Sequence, residues 1–159
     1  VQDLFEQLAA VTERGVLLGV RGWSWSEWEG AFYPEDMPPE WRLTFYNTQF
    51  DCVFLPSAQW QGAASEQFEL WQEDTHDQFL FLLEGEGSMP VPTPLRSKAI
   101  CIPAQDSRIV WFDRHTDLRR LAETLKQGRD APAFLLSRDG DLAQLQRVRT
   151  LLELLGPLA

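Results

Sequence analysis

The chain of 159 residues is 44% hydrophobic and 24% charged, with a formal net charge of −10, a balance that suits one folded domain and excludes a disordered chain. An acidic surface is also set against polyanions, since lysine and arginine supply most nonspecific nucleic-acid affinity, so no nucleic-acid partner is expected. No run approaches the roughly 18 apolar residues of a membrane span, and the acidic, amphipathic beginning of the chain lacks a signal's pattern; a cytoplasmic protein with no membrane partner is the expectation.

In chain order, Leu4, Phe5, Leu8, Ala9 and Val11 share one side of a predicted helix that Gly15 ends, and a short strand follows at 16–20. The run "PPEWRLTFYNTQF" predicts a helix with Pro39 near its start and Trp41, Phe45 and Phe50 facing inward. "CVFLP" is the next strand. Helix then alternates with strand through "AASEQFELWQED", "QFLFLL", "TDLRRLAETLKQG" with Thr116 or Asp117 capping it, "APAFLLS", and "DLAQLQRVRTLLELLG" ending at Gly156. Apolar strands alternating with amphipathic helices argue for an α/β fold whose parallel strands are covered on both sides.

Two runs strain that pattern. "AICIP" (99–103) and "RIVWF" (108–112) are separated by about four residues, whereas a parallel crossover takes about a dozen. Either an antiparallel hairpin or a run outside the sheet is expected there. "SMPVPTPLRS" before them has alternate prolines that favour extended backbone, a loop or crossing arm inside the domain.

Chemistry-bearing motifs are sparse. There is no Walker loop, no G-x-S-x-G elbow and no H-E-x-x-H. Cys52 and Cys101 sit in apolar runs without C-x-x-C spacing and are expected as buried thiols. Arg114, Arg119, Arg120, Lys126 and Arg129 are interleaved with Asp113, Asp117, Glu123 and Asp130, which describes a solvated helix face. His76 and His115 lie in polar loops. Asp113 and His115, just after "IVWF", are the best-placed titratable pair, because residues after strand C-termini line α/β active sites.

The densest signal is "GVRGWSWSEWEGAFYP", Gly19 to Pro34, a run of the form G-x-x-G-W-x-W-x-x-W-x-G-x-F-Y-P. It resembles the N-terminal signature of the YecE-like domain-of-unknown-function family 72, in which a first barrel strand runs into an aromatic loop. Phe45, Tyr46, Phe50, Val53, Trp71 and "QFLFLL" continue the likeness, and "RIVWFD", "DLRRLAETL" and "APAFLLSRDG" are similar to its last strand-helix units. The resemblance implies a TIM-type (β/α) barrel with its pocket at the strand C-termini. This chain departs from it in two ways. At 159 residues it is short of the roughly 200–250 of a full barrel, and the stretch from Leu83 to Arg108 cannot hold the central units. The family's polar pocket residues are also replaced: Val53, Phe54, Leu55, Pro56 and Ser57 stand for its V-E-x-N-S, Glu84 for its lysine, Trp111 and Asp113 for its R-x-H, and Ser137 and Arg138 for its asparagine pair.

The expectation is therefore a shortened or incomplete TIM-type (β/α) barrel of about five or six mostly parallel strands, residues 1–159 forming a single YecE-like domain. Its open side calls for a homodimer or protein partner, with a small-molecule ligand as a further candidate and no cofactor or metal. In a packing reading, Trp23, Trp25, Trp28 and Tyr33 plug the barrel end; in a binding reading they form a platform to which Trp60 and Trp111 add. Ligand or partner contacts are expected at these six aromatics and at Arg21, Glu84, Asp113, His115, Arg138 and Asp139, in a noncatalytic binding or interaction module. The competing expectation is a hydrolase for a small phosphorylated or glycosidic substrate, with Asp113, His115, Glu84, Arg138 and Asp139 converging.

Overall fold

The computed structural model describes residues 15–126 and 134–155. Six strands, β1 (Leu17–Arg21), β2 (Cys52–Leu55), β3 (Leu80–Glu84), β4 (Ala99–Ile102), β5 (Ile109–Phe112) and β6 (Phe134–Ser137), form one sheet in the order β4-β3-β2-β1-β6-β5. Every neighbouring pair is parallel. The helices among the described residues are α1 (Arg42–Gln49), α2 (Ser57–Trp60), α3 (Ser65–Glu73), α4 (Leu118–Lys126) and α5 (Leu142–Leu155). The helix expected before Gly15 and the stop expected at Gly156 lie outside the described residues.

The strands are apolar up to their C-terminal ends, where Arg21, Glu84 and Ser137 stand, because both faces of the sheet are buried. Successive side chains point to opposite faces, which divides them between two cores. Leu18, Val20, Val53, Leu55, Phe81 and Leu83 pack with helix residues such as Leu43, Tyr46, Trp71 and Leu121. Leu17, Cys52, Phe54, Leu80, Leu82, Ile100, Ile102, Ile109, Phe134 and Leu136 meet on the other, concave face.

The fourth and fifth strands correct the sequence expectation. They are neither a hairpin nor stray runs: β4 and β5 are the two opposite edges of the sheet, and the link 103–108 runs between them. Fully extended, that link reaches about 25 Å. A flat sheet of this width would set its edges about 24 Å apart, and the chain must also return about 10 Å along a strand. The link cannot cover both distances, and it is itself turned, with the Asp106 N–H donating to Pro103 O (3.1 Å) and Ile109 N–H to Asp106 O (3.0 Å). Hence the sheet curls into a half-barrel. Its curl brings the Phe54 ring of β2 within 5.0 Å of the Trp111 ring of β5, although two strands lie between them in the sheet. The concave interior is buried within the single chain.

The link is held by its own ion pair. Arg108 donates from Nε to Asp106 Oδ1 (2.9 Å), from Nη2 to Oδ2 (3.1 Å) and from its backbone N–H to Oδ1 (2.9 Å). These bonds hold the Asp106 carboxyl below its ordinary value against the opposing effect of burial.

Two buried polar groups tie helices to strands. The Tyr46 hydroxyl of α1 accepts from the Val20 N–H (2.9 Å) and donates to Cys52 O (2.7 Å), joining α1, β1 and β2 through one atom; burial, first of all, pushes its phenol well above its ordinary pKa. Lys98, only 2% exposed, donates from Nζ to Gln72 O (2.9 Å), Thr75 O (2.8 Å) and Thr75 Oγ1 (3.0 Å). It satisfies carbonyls left open at the end of α3, while desolvation pulls its pKa down. The Pro-rich stretch is a loop with a short 3-10 turn at Thr93–Leu95 that packs on α3 and leads into the edge strand β4. One helix residue departs from its expected place: Trp41 belongs to the 3-10 turn before α1 and is 62% exposed, while Leu43, Tyr46 and Asn47 form the buried side of α1.

Two outcomes are expected. Because the folded Asp106 value lies below the unfolded one, its pair adds stability above about pH 4 and loses it as pH falls through the folded value; Asp106→Asn should flatten the fall in Tm between about pH 5 and 2. At neutral pH its cost should stay near 0.5–1 kcal/mol, since Arg108 is 41% exposed. Tyr46→Phe removes the partner of a buried strand N–H and should cost about 1–3 kcal/mol in urea unfolding, with an unchanged m-value.

Candidate functional site

The inward alternation of β1 runs Leu17, Gly19, Arg21. Gly19 lets β1 and β2 approach: a Cβ there would stand 2.4 Å from Cys52 O and 2.7 Å from its Sγ. Register then sets what surrounds Arg21 at the strand ends. Arg21 pairs with Phe54 on one side. On the other side Val20 pairs with Ser137 and Phe112 with Ser137, so one residue further on Arg21, Arg138 and Asp113 stand side by side. The row Phe54, Arg21, Arg138, Asp113 therefore crosses four strand ends.

With Glu84, Ala104, Gln105 and Trp111, the first three residues of that row line a cleft of about 370 Å³ at the half-barrel's mouth. Trp111 is fixed by its indole N–H, which donates to Ala104 O of the link (2.7 Å), and by the Phe54 ring packed at 83° to it. The Arg138 guanidinium lies 5.7 Å from the Trp111 ring centroid and pairs with Asp113 Oδ2 at 3.7 Å. Arg21 is exposed, and its side chain makes no hydrogen bond or ion pair with the described residues.

The carboxylates at the strand ends are each engaged by backbone. Glu84 Oε1 accepts from the Ser57 N–H at the start of α2 (2.9 Å), and the Trp60 indole N–H donates to Glu84 O (3.1 Å). Trp60 is thereby buried and takes no part in the cleft surface. Asp113 Oδ1 accepts from the His115 N–H (2.9 Å). Asp139 accepts from the backbone N–H of Arg114 and of Asp141, both at 3.1 Å. Asp113, His115 and Asp139 line a cleft beside α5, whereas Glu84 and Arg138 line the mouth. The five residues considered for hydrolysis thus fall into two groups, joined by the Arg138–Asp113 pair.

The aromatic loop divides in the same way. Trp28 and Tyr33 are core residues. Trp28 stacks with Tyr46 and Phe50 and donates its indole N–H to Gly140 O (2.8 Å). Tyr33 donates its hydroxyl to Trp23 O and lies under the Arg42 guanidinium, which also pairs with Glu29 at 2.8 Å; burial raises its phenol pKa well above the ordinary value, with Arg42 opposing. Trp23 and Trp25, by contrast, are half-buried and wall a second cleft of about 520 Å³ with Gly22, Gln59 and Trp71. Arg21 lines both clefts. Trp25 lies across Gly140, where a Cβ would meet its ring at 2.8 Å.

Phe54 and Gln59 are cleft residues that the sequence reading passed over. Strand alternation from Cys52 carries the signal for Phe54; nothing local marks Gln59. Among the described residues no group of His, Cys, Asp and Glu could hold a metal ion, and no helix is long and apolar enough to cross a membrane.

A parallel α/β half-barrel with its cleft at the strand C-termini defines the class: a (β/α) barrel shortened to six strands. The chain belongs to the family described as "Protein of unknown function DUF72", whose model matches residues 17–126, from the start of β1 through the aromatic loop to the end of α4. No curated protein and no solved structure matches the chain.

Gly140 carries a φ of 67° as well as the Trp25 ring, and its carbonyl holds Trp28. Gly140→Ala should therefore cost about 1–3 kcal/mol and shift the tryptophan emission maximum, whereas Gly62→Ala, where a Cβ meets nothing within 4 Å, should leave the emission maximum in place.

Proposed function

We propose that the protein is a noncatalytic binding module that takes a small molecule at the mouth of its half-barrel. One observation carries this reading. Glu84, Asp113 and Asp139 each accept a backbone N–H, while Arg21 keeps all its side-chain donors open beside an apolar floor of Trp111 backed by Phe54. General acid–base work needs a titratable group within reach of a substrate proton; recognition needs an apolar cleft with a few placed polar groups. The mouth is built for the second.

A second copy or a protein partner, the other binding mode expected from the sequence, would lie over the same mouth and compete for it. Among the described residues, the large exposed apolar side chains, Trp41, Leu70, Met89 and Leu154, belong to four separate segments, which favours the small molecule. Buried thiols at Cys52 and Cys101 suit a reducing compartment, which supports a cytoplasmic location.

A fragment screen followed by ¹⁵N-indole NMR tests this. Bound fragments should move the Trp111 signal and leave those of Trp28 and Trp60 in place; fragments that bind without touching the mouth would remove the reading. Chromogenic phosphate esters and glycosides should turn over no faster with the wild type than with the Asp113→Asn, His115→Ala double variant. A turnover that this pair abolishes would instead establish a hydrolase.

A further inference from the structure

Resting on that reading, we infer that the ligand of the mouth is an aromatic monocarboxylate, its anion held at Arg21 beside Arg138 and its ring against Trp111, which the buried Phe54 backs. The starting point is an unpaired charge set by strand register. Parallel neighbours lie about 4.8 Å apart, and side chains at matched positions share a face, so β1 and β6 present two guanidinium groups to one side of the mouth. Like charges at matched cross-strand positions are destabilising. One of them is compensated, since Arg138 has Asp113 at 3.7 Å. Arg21 has no such counter-ion among the described residues, in a chain with 24 acidic residues.

Glu84 is the carboxylate in the lining of that cleft, yet it makes no ion pair with Arg21 and spends Oε1 on the Ser57 N–H. Arg21, Arg138, Glu84 and Asp113 sum to zero charge, yet Arg21 is the one of the four whose side chain has no partner among the described residues. A monoanion gives it that partner with less repulsion from Glu84 and Asp113 than a dianion would meet. A carboxylate also matches the planar donor fork of arginine, two parallel N–H bonds to two oxygens.

The rest of the cleft specifies what carries the anion. Trp111, half-buried and backed by the buried Phe54 ring, presents aromatic surface at its floor, and it is locked by the Ala104 carbonyl at 2.7 Å, so the floor is rigid before a ligand arrives. A flat ring buries against such surface with little ordering cost. Arg21 opens as well onto the cleft walled by Trp23 and Trp25, which gives a longer substituent room beyond the carboxylate.

The test uses the full chain, titrated at constant ionic strength with benzoate, benzamide and inorganic phosphate, with ¹⁵N-indole NMR as the readout. Benzoate should move Trp111 and bind at least about tenfold more tightly than benzamide. Arg21→Gln, a change at an exposed and unpaired side chain that leaves the fold intact, should erase that preference, and Arg138→Gln should weaken benzoate while retaining part of it. Equal binding of benzoate and benzamide at Trp111 overturns the anion and leaves the small-molecule mouth standing. Phosphate that displaces benzoate as readily as benzoate binds overturns the ring. If no probe moves Trp111 in the wild type, both the ligand class and the binding mouth fall together.

Discussion

The six-residue link between Ile102 and Ile109 governs the shape of the molecule. It is too short to join the edges of a flat sheet, so the sheet bends until β4 and β5 come within its reach. Curvature in turn gives the inward side chains something to touch: Phe54 meets Trp111 across the interior, and Ala104 of the link receives the Trp111 indole. A shortened barrel faces a half-open hydrophobic interior and two exposed edges. Here the interior is closed by drawing the edges together over large side chains, and the concave core is buried within one chain.

The same curvature shapes the mouth of the half-barrel. Strand ends that would fan apart on a flat sheet converge, and the register between β2, β1, β6 and β5 lays an aromatic ring, two guanidinium groups and a carboxylate in sequence across them. The aromatic loop then fastens one side of this mouth to the other. Trp28 reaches Gly140 through a hydrogen bond that spans 112 residues of the chain, and Trp25 rests on the same glycine. One contact point thus braces the end of β1 against the turn after β6, and the cleft lies next to that brace.

Much of this architecture is legible in the sequence. Apolar runs alternating with amphipathic segments identify β1, β2, β3 and β6 and their parallel character, and the first strand, expected at 16–20, is displaced by a single residue to Leu17–Arg21. What the sequence does not convey is distance. Nearness of 99–103 and 108–112 along the chain suggests a hairpin, because nothing local shows that the two runs belong to opposite edges of a curled sheet. Trp41 and Trp28 illustrate a related limit: both are tryptophans in short helical turns, but Trp28 has Gly140 and Tyr46 to receive it, and Trp41 precedes the buried side of α1. For the site, Arg21 and Trp111 are recognisable from their places at strand ends, while the division of Glu84 from His115 between two clefts depends on loop hydrogen bonds with no sequence signature.

Lys98 has a consequence for the chemistry open to the surface. The sequence contains two lysines against twelve arginines, and one of the two is closed beneath α3 with its amine given to carbonyl oxygens. Lys126, exposed at the end of α4, is thus the single lysine amine offered to solvent. Acetylation or ubiquitin transfer to lysine has one side chain to act on in the folded protein, and the remaining surface cations are guanidinium groups that keep their charge through any change of cellular pH.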